Sequence, residues 1–209
     1  MAKHPLDGIP DSAFDSSQRK RMNRWIRQLS DVLKPSRFEH SLSVASEAYR
    51  LADIHGLDLL RATQAGLLHD CAKCLPLEEM QRIAKEHHLT DDPAMLESGA
   101  LLHSVVGARV AEEQYGMTDP LVLEAIRYHN TGFPGMSRLA RCVCLADSIE
   151  PLRKSYPGLD EVRALAEESL EGALLLSLER TASYVIERGK YLHPRTRDTI
   201  RWLKEITNQ

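Results

Sequence analysis

The sequence predicts an all-α protein built as one compact bundle of about nine or ten helices. Apolar residues recur at three- and four-residue steps along most of the chain, which is the helical period. No segment alternates apolar and polar β-branched residues, and no Asn-Gly hairpin turn occurs. The 209 residues contain no internal repeat or low-complexity tract and fit one domain. We expect a flexible N-terminal arm over residues 1–17 and a helical domain over residues 18–209.

The arm contains two prolines, a glycine and several small polar residues, a composition typical of a poorly ordered segment or a loose cover. A lid over a substrate is the alternative. The first helix begins near Gln18, and its apolar stripe ends with Val32 and Leu33. Pro35 is expected to stop this helix and Ser36 to cap the next one, because serine oxygens accept from free amides at helix starts.

The second helix is predicted from about Arg37 to His55, with a buried stripe formed by Val44, Ala45, Ala48, Leu51 and Ala52. Asp58 can cap a third helix that runs to about Asp70. Asp119-Pro120 and Ser137 have the residue types of helix starts. The other helices are predicted over residues 77–88, 96–115, 121–129, 138–150, 160–188 and 195–206.

Charge and hydropathy restrict the function. The formal net charge of −3 argues against general binding of a nucleic-acid polymer, which needs a basic surface, although 27 lysines and arginines leave room for a local phosphate pocket. No apolar stretch approaches the ~20 residues that span a bilayer. Residues 1–20 lack the apolar core of a signal peptide. We therefore expect no membrane association and a cytoplasmic location with reduced cysteines.

The four cysteines form two pairs, Cys71-x-x-Cys74 and Cys142-x-Cys144. A zinc site is one interpretation. Against it, the gap between the pairs is far longer than in a zinc ribbon, and both pairs lie within helical patterns. Reduced, mostly buried thiols are the interpretation we favour.

The candidate site centres on His69-Asp70, which follows the apolar helical segment 65–68. A buried imidazole or carboxylate is costly unless it is paired or binds metal. Companions with ligand-type side chains lie near helix ends at His40, His103, His129 and Asp147. Imidazole and carboxylate together suit a divalent metal, and the two oxygens of Asp70 could each bind one ion. The alternative for any single histidine is an ordinary core residue with a hydrogen-bond partner.

Five blocks that carry these residues occur in the order found in the HD-domain metal phosphohydrolases. They resemble most closely the YqeK family of symmetrical dinucleoside tetraphosphate hydrolases. The blocks are RFEHS at 37–41, LLHDCAK at 67–73, LHSVVGA at 102–108, IRYHNTG at 126–132 and ADSIEP at 146–151. Asn130 departs from the threonine that is more common in the family.

The resemblance implies two metal ions, usually iron, with manganese and zinc as alternatives. His40, His69, Asp70 and Asp147 would hold one ion. Asp70, His103 and His129 would hold the other, with Asp70 bridging. A metal-bridging hydroxide would then split diadenosine tetraphosphate (Ap4A) symmetrically into two ADP. Two alternatives stay open: a hydrolase of other nucleotides, such as a nucleotidase or a guanosine tetraphosphate hydrolase, and a nucleotide-sensing HD module without turnover.

Asp70 and Lys73 are the candidate catalytic residues, because Lys73 lies three positions after Asp70 and would project near the metals. The predicted substrate contacts are Arg37, Lys73, Ser104, Thr131 and Arg153. Arg153 has the alternative role of capping the helix before it, and Glu150 is interpreted as structural. The expected partner is a small-molecule nucleotide, and a homodimer is compatible with the sequence.

Overall fold

The computed structural model describes residues 6 and 8–208, and this part of the chain forms eleven α-helices and no strand. The all-α prediction is confirmed. The helices are α1 Ser16–Val32, α2 Pro35–Ile54, α3 Leu59–Leu68, α4 Leu77–Glu86, α5 Pro93–Leu96, α6 Gly99–Tyr115, α7 Pro120–Tyr128, α8 Arg138–Ile149, α9 Leu159–Ala166, α10 Leu170–Glu187 and α11 Pro194–Thr207.

The structure has more helices than expected because it contains one additional short helix and because one predicted segment is divided into two. The short helix α5 precedes α6, capped by the side chain of Asp92. The predicted helix over residues 160–188 is split into α9 and α10, since Ser169 turns out of helical conformation and its hydroxyl accepts from Gly172 N.

The start of α2 also differs from the prediction. Pro35 is the first residue of α2 rather than a stop for α1, and Lys34 in an extended conformation replaces Ser36 as the N-cap. Proline suits this position because its fixed φ is helical and its missing N–H would have had no partner there. The predicted caps Asp58, Asp119 and Ser137 are confirmed, each accepting from a backbone amide of its helix.

Helix α2 is the central element, since it packs against α3 and α8. Its predicted apolar stripe is fully buried, with no accessible surface on Val44, Ala45, Ala48, Leu51 or Ala52. The closest approach is at Gly66 on α3. A Cβ there would lie 2.9 Å from both Ala45 Cα and Val44 O, closer than packed atoms allow. The absence of a side chain at Gly66 thus sets the spacing of α2 and α3.

The described part of the N-terminal segment packs on the helices. Leu6, Ile9 and Phe14 are buried, and the Phe14 ring meets that of Tyr49 edge to face at 6.0 Å. A short 3-10 helix, Asp11–Ala13, links them to α1. The expected arm also includes residues 1–5 and 7, which lie outside the described residues, so the division into arm and domain stays a prediction.

Among the described residues, no helix is both long enough and apolar enough to span a membrane.

Candidate metal centre

The six predicted ligands converge on one small region, which we call the candidate metal centre: His40, His69, Asp70, His103, His129 and Asp147. Helices α2, α6 and α8 carry His40, His103 and Asp147, whereas His69 and His129 directly follow α3 and α7. The imidazoles form a chain with ring centroids 5.2 Å apart from His40 to His69, 4.9 Å from His69 to His129 and 5.1 Å from His129 to His103.

Three of the four imidazoles are oriented by their own backbone. Nδ1 of His69 lies 2.7 Å from Gly66 O, and Nδ1 of His129 lies 2.8 Å from Ile126 O. Nδ1 of His103 lies 3.2 Å from Gly99 O. A carbonyl only accepts, so each Nδ1 must carry the proton and each Nε2 keeps a lone pair directed into the centre.

His40 has a carboxylate in this role. Its Nδ1 lies 3.0 Å from Oε1 of Glu150, whose Oε2 accepts a 2.6 Å hydrogen bond from Ser43. Glu150 is 2% exposed, so the pair is shielded from water. Glu150 was interpreted from the sequence as structural, and its contact with a histidine 110 positions earlier is seen only in the structure. A carboxylate behind a metal-binding histidine is a common way to fix its orientation.

The two carboxylates face the free Nε2 atoms. Asp70 Oδ1 lies 3.1 Å from His103 Nε2 and 3.6 Å from His129 Nε2, while its Oδ2 lies 3.7 Å from His69 Nε2. Asp147 Oδ1 lies 2.9 Å from His40 Nε2 and 3.8 Å from His69 Nε2. Asp70 is therefore between the histidines of α6 and α7 and that of α3, as a bridging ligand requires.

The atoms of the centre fit a bound cation. Nε2 of His103 and Nε2 of His129 lie 3.1 Å apart, and both have their lone pairs here, an arrangement that a cation stabilises. His69 Nε2 and Asp70 Oδ1 are buried and complete no hydrogen bond of good geometry within the described chain. Buried polar atoms without partners are rare, and a bound ion at this place would satisfy both of them.

Two groups of ligand atoms lie within 4.8 Å of one another and could hold an ion: His40, His69 and Asp147, and His69, Asp70 and His129. These groups overlap the two predicted sets without matching them. His103 is outside both, although it touches Asp70 and His129, and its Nε2 is 2.9 Å from Lys73 Nζ. A metal at His103 would require the Lys73 amine to move, so the assignment of ligands to each ion stays a prediction.

Burial sets the protonation of the histidines. Burial lowers the pKa of His69 to about 4, and it lowers the pKa of His103 to about 4 although Asp70 opposes the shift. Both are therefore neutral ligands near pH 7. Burial also acts to lower the pKa of His40, but hydrogen bonds with Asp147 and Glu150 outweigh it and raise that pKa to about 9.

The carboxylates stay ionised. Burial acts to raise the pKa of Asp70, yet the neighbouring imidazoles hold it well below its usual range. Burial likewise acts to raise the pKa of Asp147, and it is outweighed first by His40 and then by His69 and Arg153. Two negative charges in a poorly solvated centre attract cations strongly.

Three basic side chains surround the centre on its more exposed side. Arg37 Nη1 lies 3.4 Å from Asp70 Oδ2, Lys73 Nζ lies 3.7 Å from Asp70 Oδ1, and Arg153 donates to Asp147 Oδ1 at 2.6 Å. Their side chains are 43%, 24% and 31% exposed, against 0–3% for Asp70, His69, His103 and His129. Ligands that enter the centre would pass these cations. Burial lowers the pKa of Lys73, against the pull of Asp70.

The two predicted hydroxyl contacts lie beside the centre but bind their own backbone. Ser104 donates to Leu101 O at 3.2 Å, and Thr131 donates to Gly132 O at 3.0 Å. Both side chains are buried. Their proposed contact with phosphate would need a rotation of each hydroxyl and stays a prediction.

The cysteines are free thiols. Cys71, Cys142 and Cys144 are buried, and burial raises the pKa of Cys142 to about 12. Cys71 and Cys142 donate to the backbone oxygens of Gly107 and Ala48. Neither ligand group of the described chain includes a cysteine, in keeping with the sequence interpretation of reduced thiols.

Comparison with known proteins identifies the class to which this fold and site belong. A family model of the HD domain matches residues 37–152, which include all six candidate ligands. The chain therefore belongs to the HD-domain family, as the sequence resemblance predicted.

Similar proteins of comparable length point to a smaller group within this family. The protein named symmetrical bis(5'-nucleosyl)-tetraphosphatase in Bacillus subtilis is 39% identical over 82% of this chain and 91% of its own length. Its namesake in Halalkalibacterium halodurans is 36% identical over 84% of this chain and 94% of its own length. A crystal structure from Clostridium acetobutylicum, described as a predicted HD superfamily hydrolase involved in NAD metabolism, superposes with a TM-score of 0.84. It is 37% identical and covers 90% of this chain and 98% of its own.

Proposed function

We propose that the chain is a metal-dependent phosphoanhydride hydrolase that splits diadenosine tetraphosphate into two ADP. The metal dependence is inferred from the four imidazoles. Each is held by a hydrogen bond at Nδ1 and directs Nε2 toward the carboxylates of Asp70 and Asp147. The proposed substrate is inferred from the relatives named symmetrical bis(5'-nucleosyl)-tetraphosphatase, which match most of this chain.

The donor set fits two divalent ions. His40, whose pKa is raised to about 9, would have to give up its proton when it binds a metal. Four neutral imidazoles and two carboxylates would then leave such a pair with about two positive charges, which favours an anionic polyphosphate over a neutral substrate. Nitrogen and carboxylate ligands without thiolate suit iron, and also manganese or zinc. When bound, a pair of metals supplies an activated water and neutralises the phosphoryl oxygens. We propose iron as the resident metal and Asp70 as the residue shared between the ions.

The chain's own residues would hold the polyphosphate. Arg37, Lys73 and Arg153 surround the centre with side chains that are partly exposed, so rotation of the side chains alone can turn them toward phosphate oxygens. Fixed positive charges that meet developing negative charge on the departing diphosphate lower the barrier. We assign this role first to Lys73, which is the least exposed of the three. The proposed partner is thus a small nucleotide rather than a nucleic-acid polymer.

Product analysis tests the proposal. The purified protein, supplied in turn with iron, manganese or zinc, is incubated with diadenosine tetraphosphate, and the nucleotides are separated chromatographically. ADP as the sole product supports the proposal. AMP with ATP would show asymmetric cleavage, and no turnover with any metal would favour a sensing module; either result contradicts the proposal.

Lys73→Ala separates substrate binding from metal binding. We expect this variant to retain its metal and to lose at least about tenfold in kcat/KM, since an ion pair with phosphate is worth one or more factors of ten. Metal content and kinetics are measured on the same preparation. Unchanged kinetics would leave Lys73 as a structural partner of His103.

A further inference from the structure

Two stacked aromatic side chains, one of them exposed, lie before and after the candidate ligand His129 in the chain and are not candidate ligands themselves. The rings of Tyr128 and Phe133 are stacked, with centroids 4.8 Å apart and planes inclined by 18°. Tyr128 covers one side of Phe133, and 40% of Phe133 remains exposed to solvent. The two residues flank His129 and Thr131, which are both buried.

The segment that carries the pair is held rigidly against α11. Gly132 has φ +65°, and a Cβ there would lie only 2.5 Å from Cγ2 of Thr199. The Thr199 hydroxyl lies 3.3 Å from Thr131 O and 2.7 Å from Arg195 O, so its single proton is directed mainly at Arg195 O. Because Gly132 packs this closely on Thr199, the position of Phe133 is tied to α11.

An arginine from α11 completes the surface. The guanidinium carbon of Arg195 lies 5.6 Å from the Tyr128 ring centroid and 6.0 Å from that of Phe133. Its Nη1 is buried and has no hydrogen-bond partner within the described chain. Its contact with the two rings therefore stabilises the guanidinium charge. As a result, a cationic group lies beside the exposed side chain of Phe133.

We propose that Phe133, supported by Tyr128 and Arg195, is the stacking surface for one nucleobase of the substrate. Aromatic faces next to a cationic group bind bases in this way, because every base has a π-face. The four-residue separation from His129 limits the distance between the two Cα atoms to about 14 Å, since an extended chain spans at most ~3.3–3.6 Å per residue. The ribose and first phosphates of a nucleotide can bridge such a distance. The inference rests on the proposed nucleotide substrate.

Binding of ADP and of inorganic tripolyphosphate to the metal-loaded protein, measured by calorimetric titration, tests the inference. Phe133→Ala should weaken ADP binding by roughly 5- to 100-fold, the range expected for loss of one stacked base. It should leave tripolyphosphate binding unchanged, since that probe has no base. Phe133→Leu should behave like the alanine variant because it keeps apolar bulk without a π-face, whereas Phe133→Trp should bind ADP as wild type does.

Tyr184→Ala is the matched control. Tyr184 is 53% exposed and has Arg188 at 5.3 Å from its ring centroid, but it is on α10, which carries no candidate ligand. ADP binding should not change in this variant. Equal binding of ADP by wild type and Phe133→Ala would overturn the inference, and so would an equal loss for ADP and tripolyphosphate, which would indicate damage to the centre. Selective loss of ADP binding would support the stacking surface even if the wild type failed to hydrolyse diadenosine tetraphosphate.

Discussion

Glu150 gives His40 the partner that backbone carbonyls give to the other three histidines. Its carboxylate is 3.0 Å from His40 Nδ1 and is itself held by Ser43. A mobile imidazole binds metal less well, because orienting it costs free energy on binding. We therefore expect Glu150 to position His40 for its ligand without touching that ligand.

Glu150→Ala should lower the metal affinity of the protein by about 10- to 100-fold, the usual effect of losing such a partner. Glu150→Gln should recover part of this loss, since the amide oxygen still accepts from Nδ1–H. Metal titration of the purified variants provides the measurement. Glu47→Gln is the control, because Glu47 is also a buried glutamate but pairs with Arg50. Wild-type metal affinity in Glu150→Ala would contradict the positioning role.

For single residues, the sequence indicates which side chains are candidate ligands, but it does not indicate which side chains contact those ligands. The six candidate ligands were visible because five blocks in family order carry them. The hydrogen bond between His40 and Glu150 was not visible, because it depends on how α2 packs on α8 over 110 positions of chain. The contact of Lys73 with His103 was missed for the same reason.

The close approach of α3 to α2 determines where His69 lies relative to His40. Gly66 makes that approach, and its carbonyl also accepts from His69 Nδ1. One residue thus sets both the helix spacing and the orientation of a candidate ligand.

Gly66→Ala should lower the free energy of unfolding by about 1–3 kcal/mol, because the new methyl group would overlap the α2 backbone and force the helices apart. The same displacement should reduce bound metal. Gly99→Ala is the control, since a Cβ at Gly99 would meet only side-chain atoms at 3.8 and 3.9 Å. Urea denaturation and metal analysis of both variants test this. A Gly66→Ala protein with the stability and metal content of Gly99→Ala would show that the spacing tolerates a methyl group.

Helix existence and most caps were predictable because period and cap chemistry are local properties. Pro35 was misassigned because proline serves both as a helix stop and as a first helical residue, and the sequence favoured neither. The break between α9 and α10 was missed because Glu167, Glu168 and Ser169 continue the polar pattern of a helix surface. Only the extended backbone at Ser169 reveals the new start.

Across the whole molecule, the polar contacts that join the last helix to the middle of the chain include one between two helix caps. His193, the N-cap of α11, lies 2.8 Å from Asp92, the N-cap of α5. Burial acts to raise the pKa of Asp92, but the hydrogen bond with His193 and those from the backbone amides of Met95 and Ala94 outweigh it and lower that pKa. The pair thus links two segments that are 101 positions apart.

Asp92→Asn should reduce stability near neutral pH by less than about 1 kcal/mol, because Asp92 is partly exposed and asparagine still caps the helix. A carboxyl whose pKa is lowered by folding adds stability above its unfolded pKa of about 3.9, and that contribution disappears as the pH falls through the folded pKa. The difference in the free energy of unfolding between wild type and Asp92→Asn should therefore be present at pH 7 and should disappear below the folded pKa of Asp92. A difference that does not depend on pH would show that the carboxylate charge is unimportant.

Hydrophobic periodicity alone could not predict that distant segments of the chain meet at one site. Helical patterns indicate which faces are buried, but they do not specify which helix ends meet. The family resemblance supplied that information for the segment from residue 37 to 151 and gave none for residues 1–17. Packing of Leu6, Ile9 and Phe14 onto the helices emerged only in the structure.

We propose that six side chains from five parts of the chain share a pair of metal ions around Asp70. The direct test is the metal content per chain of wild type and Asp70→Ala after reconstitution with Fe²⁺ and removal of free ion, with circular dichroism to confirm that both are folded. We expect two ions per chain in wild type and a loss of both in Asp70→Ala, because the shared ligand is gone. Two ions retained in the folded variant, or none bound by the folded wild type, would contradict it.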